Sequence, residues 1–286
     1  MIETIFGPMG GFEVAQRAAI GLALAVVVAG AAWRAGALSR SGVLAAAGCG
    51  TACVIAGWSW AALLILYFVA AALLSRAGSD QKDAITRGIV SKGGARDATQ
   101  VLANGGLYSL AALIAAGFGI PWLAWGAVGA LAASSADSWA TELGVWLGGE
   151  PRSIISWTYV RPGESGGVTL TGLVASGAGA AWVGVVAMVL GLPATLGLTA
   201  LLAGFGGSIT DSVLGATLQE RFRCDACNEP TERAIHVCGS ATRRVGGIRW
   251  LDNDVINLLA TCAGLFLGVL FYWIAENVGT RWNPIG

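Results

Sequence analysis

Three carboxylates fall inside stretches that are otherwise apolar: Asp137 and Glu142 in Ser134-Ser135-Ala136-Asp137-Ser138-Trp139-Ala140-Thr141-Glu142, and Asp211 in Gly206-Gly207-Ser208-Ile209-Thr210-Asp211-Ser212. A charged side chain in hydrocarbon costs about 3 kcal/mol unless it is paired, neutralised or metal-bound, so each of these marks a functional position. Helical spacing sets Ser134, Asp137, Ser138 and Thr141 on one stripe, with Glu142 above Ser138, and sets Gly204, Ser208, Asp211 and Gly215 on another. Two such stripes of small and polar residues can pack closely and face one shared polar cavity. The alternative is that each carboxylate only hydrogen-bonds a neighbouring helix.

A second group is basic and amidic. In the run from Arg87 to Gly106, Lys92 and Arg96 stand among Gly93, Gly94 and Ala95, and Asp97, Gln100 and Asn104 follow. Arg96, Gln100 and Asn104 are four apart and share a face if a helix starts here. Glycines let backbone amides approach an anion, and a helix N-terminus adds its positive dipole end, so this surface suits a phosphorylated ligand. The competing reading is an ordinary basic loop obeying membrane topology. Arg161-Pro162-Gly163-Glu164-Ser165-Gly166-Gly167 has the same glycine-rich character before another helix. In Asp252-Asn253-Asp254-Val255-Ile256-Asn257, Asn253 and Asn257 stack one turn apart, while Asp252 or Asp254 can cap the helix.

Cys224, Cys227, His236 and Cys238 form the pattern C-x2-C-x8-H-x-C. Three thiols and the chain's single histidine have the makings of a tetrahedral Zn2+ site, against free thiols or a redox role. Cys49, Cys53 and Cys262 lie in apolar stretches and read as small packing residues. The two lysines, Lys82 and Lys92, precede Asp and Gly, so there is no P-loop. With its one histidine among cysteines, the chain offers no histidine acid–base site.

The elements that must position these groups are membrane helices. Of 286 residues, 55% are hydrophobic and only 12% charged, whereas roughly a quarter of the residues in soluble domains are charged. The 43 glycines are packing residues for close helix contacts. The expected fold class is all-α, a polytopic membrane protein of about eight spans (range seven to nine) at 14–33, 42–57, 59–75, 104–119, 121–147, 167–190, 194–216 and 252–274. No signal peptide is apparent. Fifteen of the 17 Lys and Arg residues lie in four loops, 34–41, 76–103, 148–166 and 217–251. Eight spans put all four on one side, which the positive-inside rule makes cytoplasmic, with both termini outside. The organisation is thus a single transmembrane domain over 1–286, with cytoplasmic loops 76–103, 148–166 and 217–251. Zero net charge argues against a nucleic-acid partner.

These motifs together resemble the integral membrane family of phytyl-phosphate kinases and the animal transmembrane protein 19. The resemblance rests on Lys92-Gly93-Gly94-Ala95-Arg96-Asp97 through Asn104-Gly105-Gly106, Asp137-Ser138-Trp139-Ala140-Thr141-Glu142, Pro162-Gly163-Glu164-Ser165-Gly166-Gly167-Val168, Asp211 through Gln219, and Asp252 through Asn257, in order from 87 to 257. The first two helices carry little of it. The Cys224/Cys227/His236/Cys238 insertion departs from the plant-like pattern, so zinc is not inherited from it.

The resemblance implies transfer of a phosphoryl group from a nucleoside triphosphate, CTP among the candidates, to an isoprenyl monophosphate such as phytyl or geranylgeranyl phosphate. On that reading Asp137, Glu142 and Asp211 hold Mg2+, directly or through water. Lys92 and Arg96 act on the phosphates, aided by Arg87 and Arg161. Asp97, Gln100, Asn104, Gly163, Ser165, Gly166, Gly167, Asn253, Asp254 and Asn257 bind substrate or nucleotide. No strong base is required, because a phosphate monoester is largely ionised near neutral pH. The setting expected is a bacterial or archaeal cytoplasmic membrane, with membrane lipid as a partner and self-association left open. The rival class is a transporter or flippase of a phosphorylated lipid or small anion, in which the same acids line a pathway. A noncatalytic lipid-binding scaffold is a third.

Overall fold

A computed structural model describes residues 11–277. The long elements are α1 (Gly11–Arg34), α2 (Arg40–Ala56), α3 (Trp58–Arg76), α6 (Leu107–Phe118), α7 (Pro121–Leu147), α8 (Leu170–Val189), α9 (Ala194–Thr217) and α10 (Asn253–Asn277). Two short helices, α4 (Ser79–Thr86) and α5 (Ala98–Val101), lie between α3 and α6. A single wide π turn, Leu102–Gly106, joins α5 to α6 as one rod. Local chemistry explains the starts. Ser39 and Thr169 accept from the amide three residues on and cap α2 and α8, Pro121 opens α7, and Asp97 with Gln100 forms a complete capping box for α5.

Among the described residues, six rods are long and apolar enough to cross a membrane: Glu13–Arg34, Trp58–Arg76, Ala98–Phe118, Leu170–Val189, Ala194–Thr217 and Asn253–Asn277. Of the other two expected spans, α2 has only 17 residues. The second, α7, has 27, but Ser134, Ser135, Asp137, Ser138, Thr141 and Glu142 dilute its apolar character.

The all-α expectation needs correction in two loops. Within 148–168, β1 (Arg152–Ser153) pairs antiparallel with β2 (Gly167–Val168). Within 217–251, β3 (Arg221–Cys224) is the middle strand of an antiparallel sheet in the order β4 (Glu229–Thr231), β3, β5 (Thr242–Gly246). Strands of two to five residues are too short for alternation to register in sequence.

At the centre stands α7, packed against α8, α9, α10, α6 and α3. Its inner stretch, Ala127, Val128 and Ala130 to Ala133, is essentially fully buried. Such small residues allow the close approach that membrane helices need. At the α7–α10 crossing a Cβ on Gly129 or on Gly264 would collide with the other's carbonyl oxygen. The rim is the reverse: α1 packs on α2 and leaves Leu22, Leu24, Val26 and Val27 exposed, as suits hydrocarbon solvent.

The long loops meet at one end of the bundle. Arg76 Nη2 donates to Ala35 O (2.5 Å), the Ser39 amide to Arg96 O (2.9 Å), and the Glu232 amide to Ile89 O (2.9 Å). Ser165 Oγ reaches Glu232 (2.6 Å). At the other end lie the short turns, where Ser59 Oγ donates to Leu190 O (3.0 Å).

Candidate functional site

Side by side, α7 and α9 bring Asp137 and Asp211 together, about three turns before the end of α7 and about two before the end of α9. Asp211 lies within electrostatic range of both Asp137 and Glu232. Its Oδ2 is buried and has no hydrogen-bond partner among the described residues, an arrangement that costs free energy unless something else engages the oxygen. Tyr67, a buried residue of α3, sits among Ser134, Ser138, Arg96 and Asp137. Ser134 Oγ itself donates to Asn104 O (2.6 Å), so the π turn is fastened to the acidic stripe.

Above the acids, Lys92 is the hub of a charged network. Its Nζ lies 2.8 Å from Asp97 Oδ2, 2.5 Å from Asp254 Oδ2 and 3.0 Å from Thr99 Oγ1. Thr99 Oγ1 is 2.8 Å from Asp254 Oδ2. Partial burial opposes the charge on Lys92, but the two carboxylates outweigh it and raise its pKa. Burial likewise works against ionised Asp97, yet Lys92, the Gln100 amide and Thr99 hold the carboxyl down at about 2.

Glu232 closes this recess, a role that nothing in its sequence neighbourhood announces. Its carboxylate accepts from Ser165 Oγ (2.6 Å), Gln219 Nε2 (2.7 Å) and the Ser91 amide (3.3 Å). Burial pushes its pKa up despite these bonds. A polar recess of about 30 Å3 is lined by Ser91, Lys92, Gln100, Glu232, Asn253 and Asp254.

A cavity of about 350 Å3 lies between α1, α2, α3 and the α5–α6 rod, apolar along Leu24, Val28, Val54, Leu64 and Phe68. It ends at Tyr67, Arg96, Gln100 and Asn104. Arg96, Gln100 and Asn104 thus line one cavity, but not as the face of one helix. Arg96 precedes α5 and is held by an extended pairing with 37–39 and by Phe68, whose ring lies 5.6 Å below its guanidinium. Between α7 and α9, where the two polar stripes predict a shared acidic cavity, there is packing instead: a Cβ on Gly204 would lie 2.8 Å from Ala132 and Ala180, and the Gly207 position abuts Ala133.

The remaining sequence candidates divide. Glu142 does not join the other two acids; it is ion-paired with buried Lys82, whose Nζ also donates to Leu74 O (2.8 Å) and Ser75 O (2.9 Å). Five residues along a helix is some 500°, which turns Glu142 away from Asp137. Arg161 pairs with Glu229 (2.8 Å), and Arg87 is exposed beyond α4. Gly163 (φ +88°) rests on Thr86, and Gly166 (φ +80°) rests on the Ala216 backbone. With Gly167 in β2, they present Ser165 to Glu232. Asp252 Oδ1 accepts from the Val255 amide (3.1 Å) and is the cap of α10, which frees Asp254 for Lys92. Asn253 and Asn257 are half-buried on the first turns of α10. Cys224, Cys227, His236 and Cys238 converge in the sheet-bearing loop.

Tyr67, Thr99, Gln219 and Glu232 are the additions. Tyr67 is the one tyrosine in its span and Glu232 an acid between Cys227 and His236, signals that gain meaning only once partners are known.

Comparison with known proteins follows the same map. The family model described as integral membrane protein DUF92 matches residues 23–265. Protein PGR of Arabidopsis thaliana is 30% identical over 238 residues, covering 74% of this chain and 81% of that protein. An uncharacterized membrane protein of Methanocaldococcus jannaschii, MJ0933, is 29% identical over 216 residues, covering 76% and 77%. A further uncharacterized membrane protein, sll0875 of Synechocystis, is 26% identical over 218 residues. No solved structure gives a significant match. The motif run at 87–257 lies wholly inside the matched range, and the match extends it back into α1. The chain belongs to the DUF92 family of integral membrane proteins.

Proposed function

We propose that this protein is a membrane phosphotransferase that moves the γ-phosphoryl group of a nucleoside triphosphate, CTP among the donors, onto an isoprenyl monophosphate such as phytyl or geranylgeranyl phosphate. The observation that carries this reading is the junction of the apolar cavity with Tyr67, Arg96, Gln100 and Asn104, beside Asp137. At about 350 Å3 it falls at the lower end of ligand cavities, roughly 300–1,000 Å3. A prenyl tail lies along Leu24, Val28, Val54 and Leu64, and its phosphate meets the Arg96 guanidinium.

Lys92, kept protonated and in place by Asp97 and Asp254, receives the nucleotide phosphates by exchanging one carboxylate for a phosphate oxygen. The donors of Asp137, Asp211 and Glu232 are hard carboxylate oxygens, and Asp211 Oδ2 has no other partner, which fits Mg2+. Glu142, held by Lys82, leaves the proposed ligand set. When bound, Mg2+ supplies charge neutralisation between phosphates that repel each other. An oxygen of the lipid monophosphate forms the new bond to the γ-phosphorus. The bond from that phosphorus to the β–γ bridging oxygen breaks, and the nucleoside diphosphate leaves with the electron pair. The attacking group is already ionised, so the chain's task is positioning and charge cancellation.

The loop end carries the basic residues, and the same reading makes it cytoplasmic, with both termini outside. It takes α2 and α7 as crossings in addition to the six apolar rods, eight in all, in one transmembrane domain. A two-sided transport pathway fares less well, because the opposite end is closed by short packed turns such as the Ser59–Leu190 contact.

The test is direct. Protein purified in lipid nanodiscs is given Mg2+, labelled nucleotides and a panel of prenyl monophosphates. A prenyl diphosphate should form, and Asp137→Asn and Asp211→Asn should each abolish it. No diphosphate from any pairing, or full turnover in both variants, sinks the proposal.

A further inference from the structure

The loop 217–251 is too short to hold a three-stranded sheet together by a hydrophobic core of its own. Cys224 ends β3, Cys227 stands in the β3–β4 turn, and His236 and Cys238 belong to the segment that returns to β5. One donor atom from each of the four lies within 4.8 Å of every other. The sulfurs of Cys224 and Cys238 are 3.6 Å apart, too far for a disulfide, at about 2.05 Å. The edge of a tetrahedron built on Zn–S bonds of about 2.3 Å is roughly 3.8 Å.

His236 is 5% exposed and its Nε2 has no hydrogen-bond partner among the described residues. Its Nδ1 accepts a long hydrogen bond from the Cys238 amide (3.5 Å), and its Nε2 stands 4.0 Å from Glu229 Oε2. A carboxylate behind the far nitrogen is the usual outer partner of a metal-bound imidazole, fixing its tautomer. Cys224 and Cys227 at the β3–β4 turn and His236 and Cys238 before β5 form two pairs on either side of β4, and the strand pairing brings the pairs together.

We propose that Cys224, Cys227, His236 and Cys238 bind one Zn2+ as a structural site. Four protein donors leave no open position for substrate or water, so the ion acts as a staple. What it staples is the Lys92 segment. Gly88 (φ +88°) lies directly under His236, where a Cβ would come within 2.8 Å of Nε2. Immediately beyond, the Glu232 amide donates to Ile89 O (2.9 Å) and Arg233 Nε to Val90 O (2.9 Å). The Ser91 amide returns a bond to Glu232. The metal loop is thus laced to residues 88–91, one residue short of Lys92, and delivers Glu232 into the recess. This assignment stands whether or not the protein is a phosphotransferase.

Full-length protein, purified in detergent from zinc-replete cells without chelator, should carry one zinc per chain by mass-spectrometric metal analysis. Replacement by Co2+ should give the thiolate charge-transfer and tetrahedral d–d absorption of a site with three sulfur donors and one nitrogen. Cys227→Ser should lose the metal, His236→Cys should retain it with an all-sulfur cobalt spectrum, and Cys262→Ala should leave it unchanged. Metal removal should speed amide exchange across 88–92 roughly tenfold, with α7 protection unaltered, because the opening is local. Zinc-free wild-type protein with no cobalt spectrum overturns the site. So does iron in its place, or an intact-mass loss showing a Cys224–Cys238 disulfide. Unchanged exchange at 88–92 in the metal-free protein overturns the staple. None of these readouts involves turnover.

Discussion

Replacing Lys82 by Met should destabilise the protein without touching the proposed phosphate site. The Lys82 side chain is 8% exposed, and it holds Glu142, 22% exposed, together with the Leu74 and Ser75 carbonyls at the end of α3. Breaking a buried ion pair costs about 3–5 kcal/mol, because the surviving charge is stranded. Glu142 can draw some water, which lowers the expectation to about 2–3 kcal/mol. For a chain of this size that is a fall of roughly 5–10 °C in Tm. Glu142→Gln keeps an acceptor for the ammonium and should cost less, about 1–2 kcal/mol. The double variant should recover part of the loss through a coupling of about 1–3 kcal/mol. Thermal unfolding followed by the emission of the 12 tryptophans in detergent gives all four corners of the cycle, with Mg–nucleotide binding measured in parallel. Strictly additive losses, or single-variant shifts below about 1 °C, refute the pairing argument. Loss of nucleotide binding in a Glu142→Gln protein of unchanged Tm would return Glu142 to the metal set.

Asp97→Asn keeps the helix cap but removes the charge that Lys92 stabilises. The folded-state value of about 2, against the usual 3.8, means this stability is present above about pH 4 and is lost as pH falls through 2. The variant should be about 1 kcal/mol less stable at pH 7, after discounting for a side chain one-third exposed, and the gap should close in unfolding scans below pH 4. Gly166→Ala meets a left-handed backbone and the Ala216 main chain at 2.6 Å. It should cost about 2–4 kcal/mol in thermal unfolding and should weaken nucleotide binding by displacing Ser165 from Glu232.

What can be read in the sequence is whatever violates the rules of hydrocarbon. Asp137 and Asp211 stand out because an acid in an apolar run demands a reason, and α7 and α9 do bring them together. The four loops are legible from Arg and Lys, and their mutual contacts place them at one end. Pairings across long sequence separation are not legible: nothing local ties Lys82 to Glu142, or Ser91 and Ser165 to Glu232. The spacing of Cys224, Cys227, His236 and Cys238 carries the metal pattern but not the sheet, because the only alternation, Arg221-Phe222-Arg223-Cys224 in β3, is four residues long and β4 and β5 have none. The large cavity lies not between α7 and α9, whose stripes predict one, but on the other side of α7, which it meets at Tyr67. Its walls are α1, α2, α3 and the α5–α6 rod, and the near-continuous apolar runs of the first three do not show in sequence which side is hollow.

The wide turn at Leu102–Gly106 has a consequence for how this rod tolerates change. Loosened carbonyls in such a turn are exposed to new donors, and here the oxygens of Ala103, Asn104 and Gly105 are taken by Thr261, Ser134 and Ser109. Three hydroxyls, two of them from other helices, therefore hold what amounts to one surplus amino acid in the coil. Deleting a single residue here would tighten the coil to ordinary pitch and leave everything downstream in register, because five residues of the wide turn advance the rod about as far round as four of an α-helix, so Tyr108 would still meet Trp60 and Ser109 would still meet Cys53. The interval between Asp97 and Tyr108 can therefore shorten by one without turning the faces beyond it, and what such a shortening removes is the acceptors of Thr261 and Ser134.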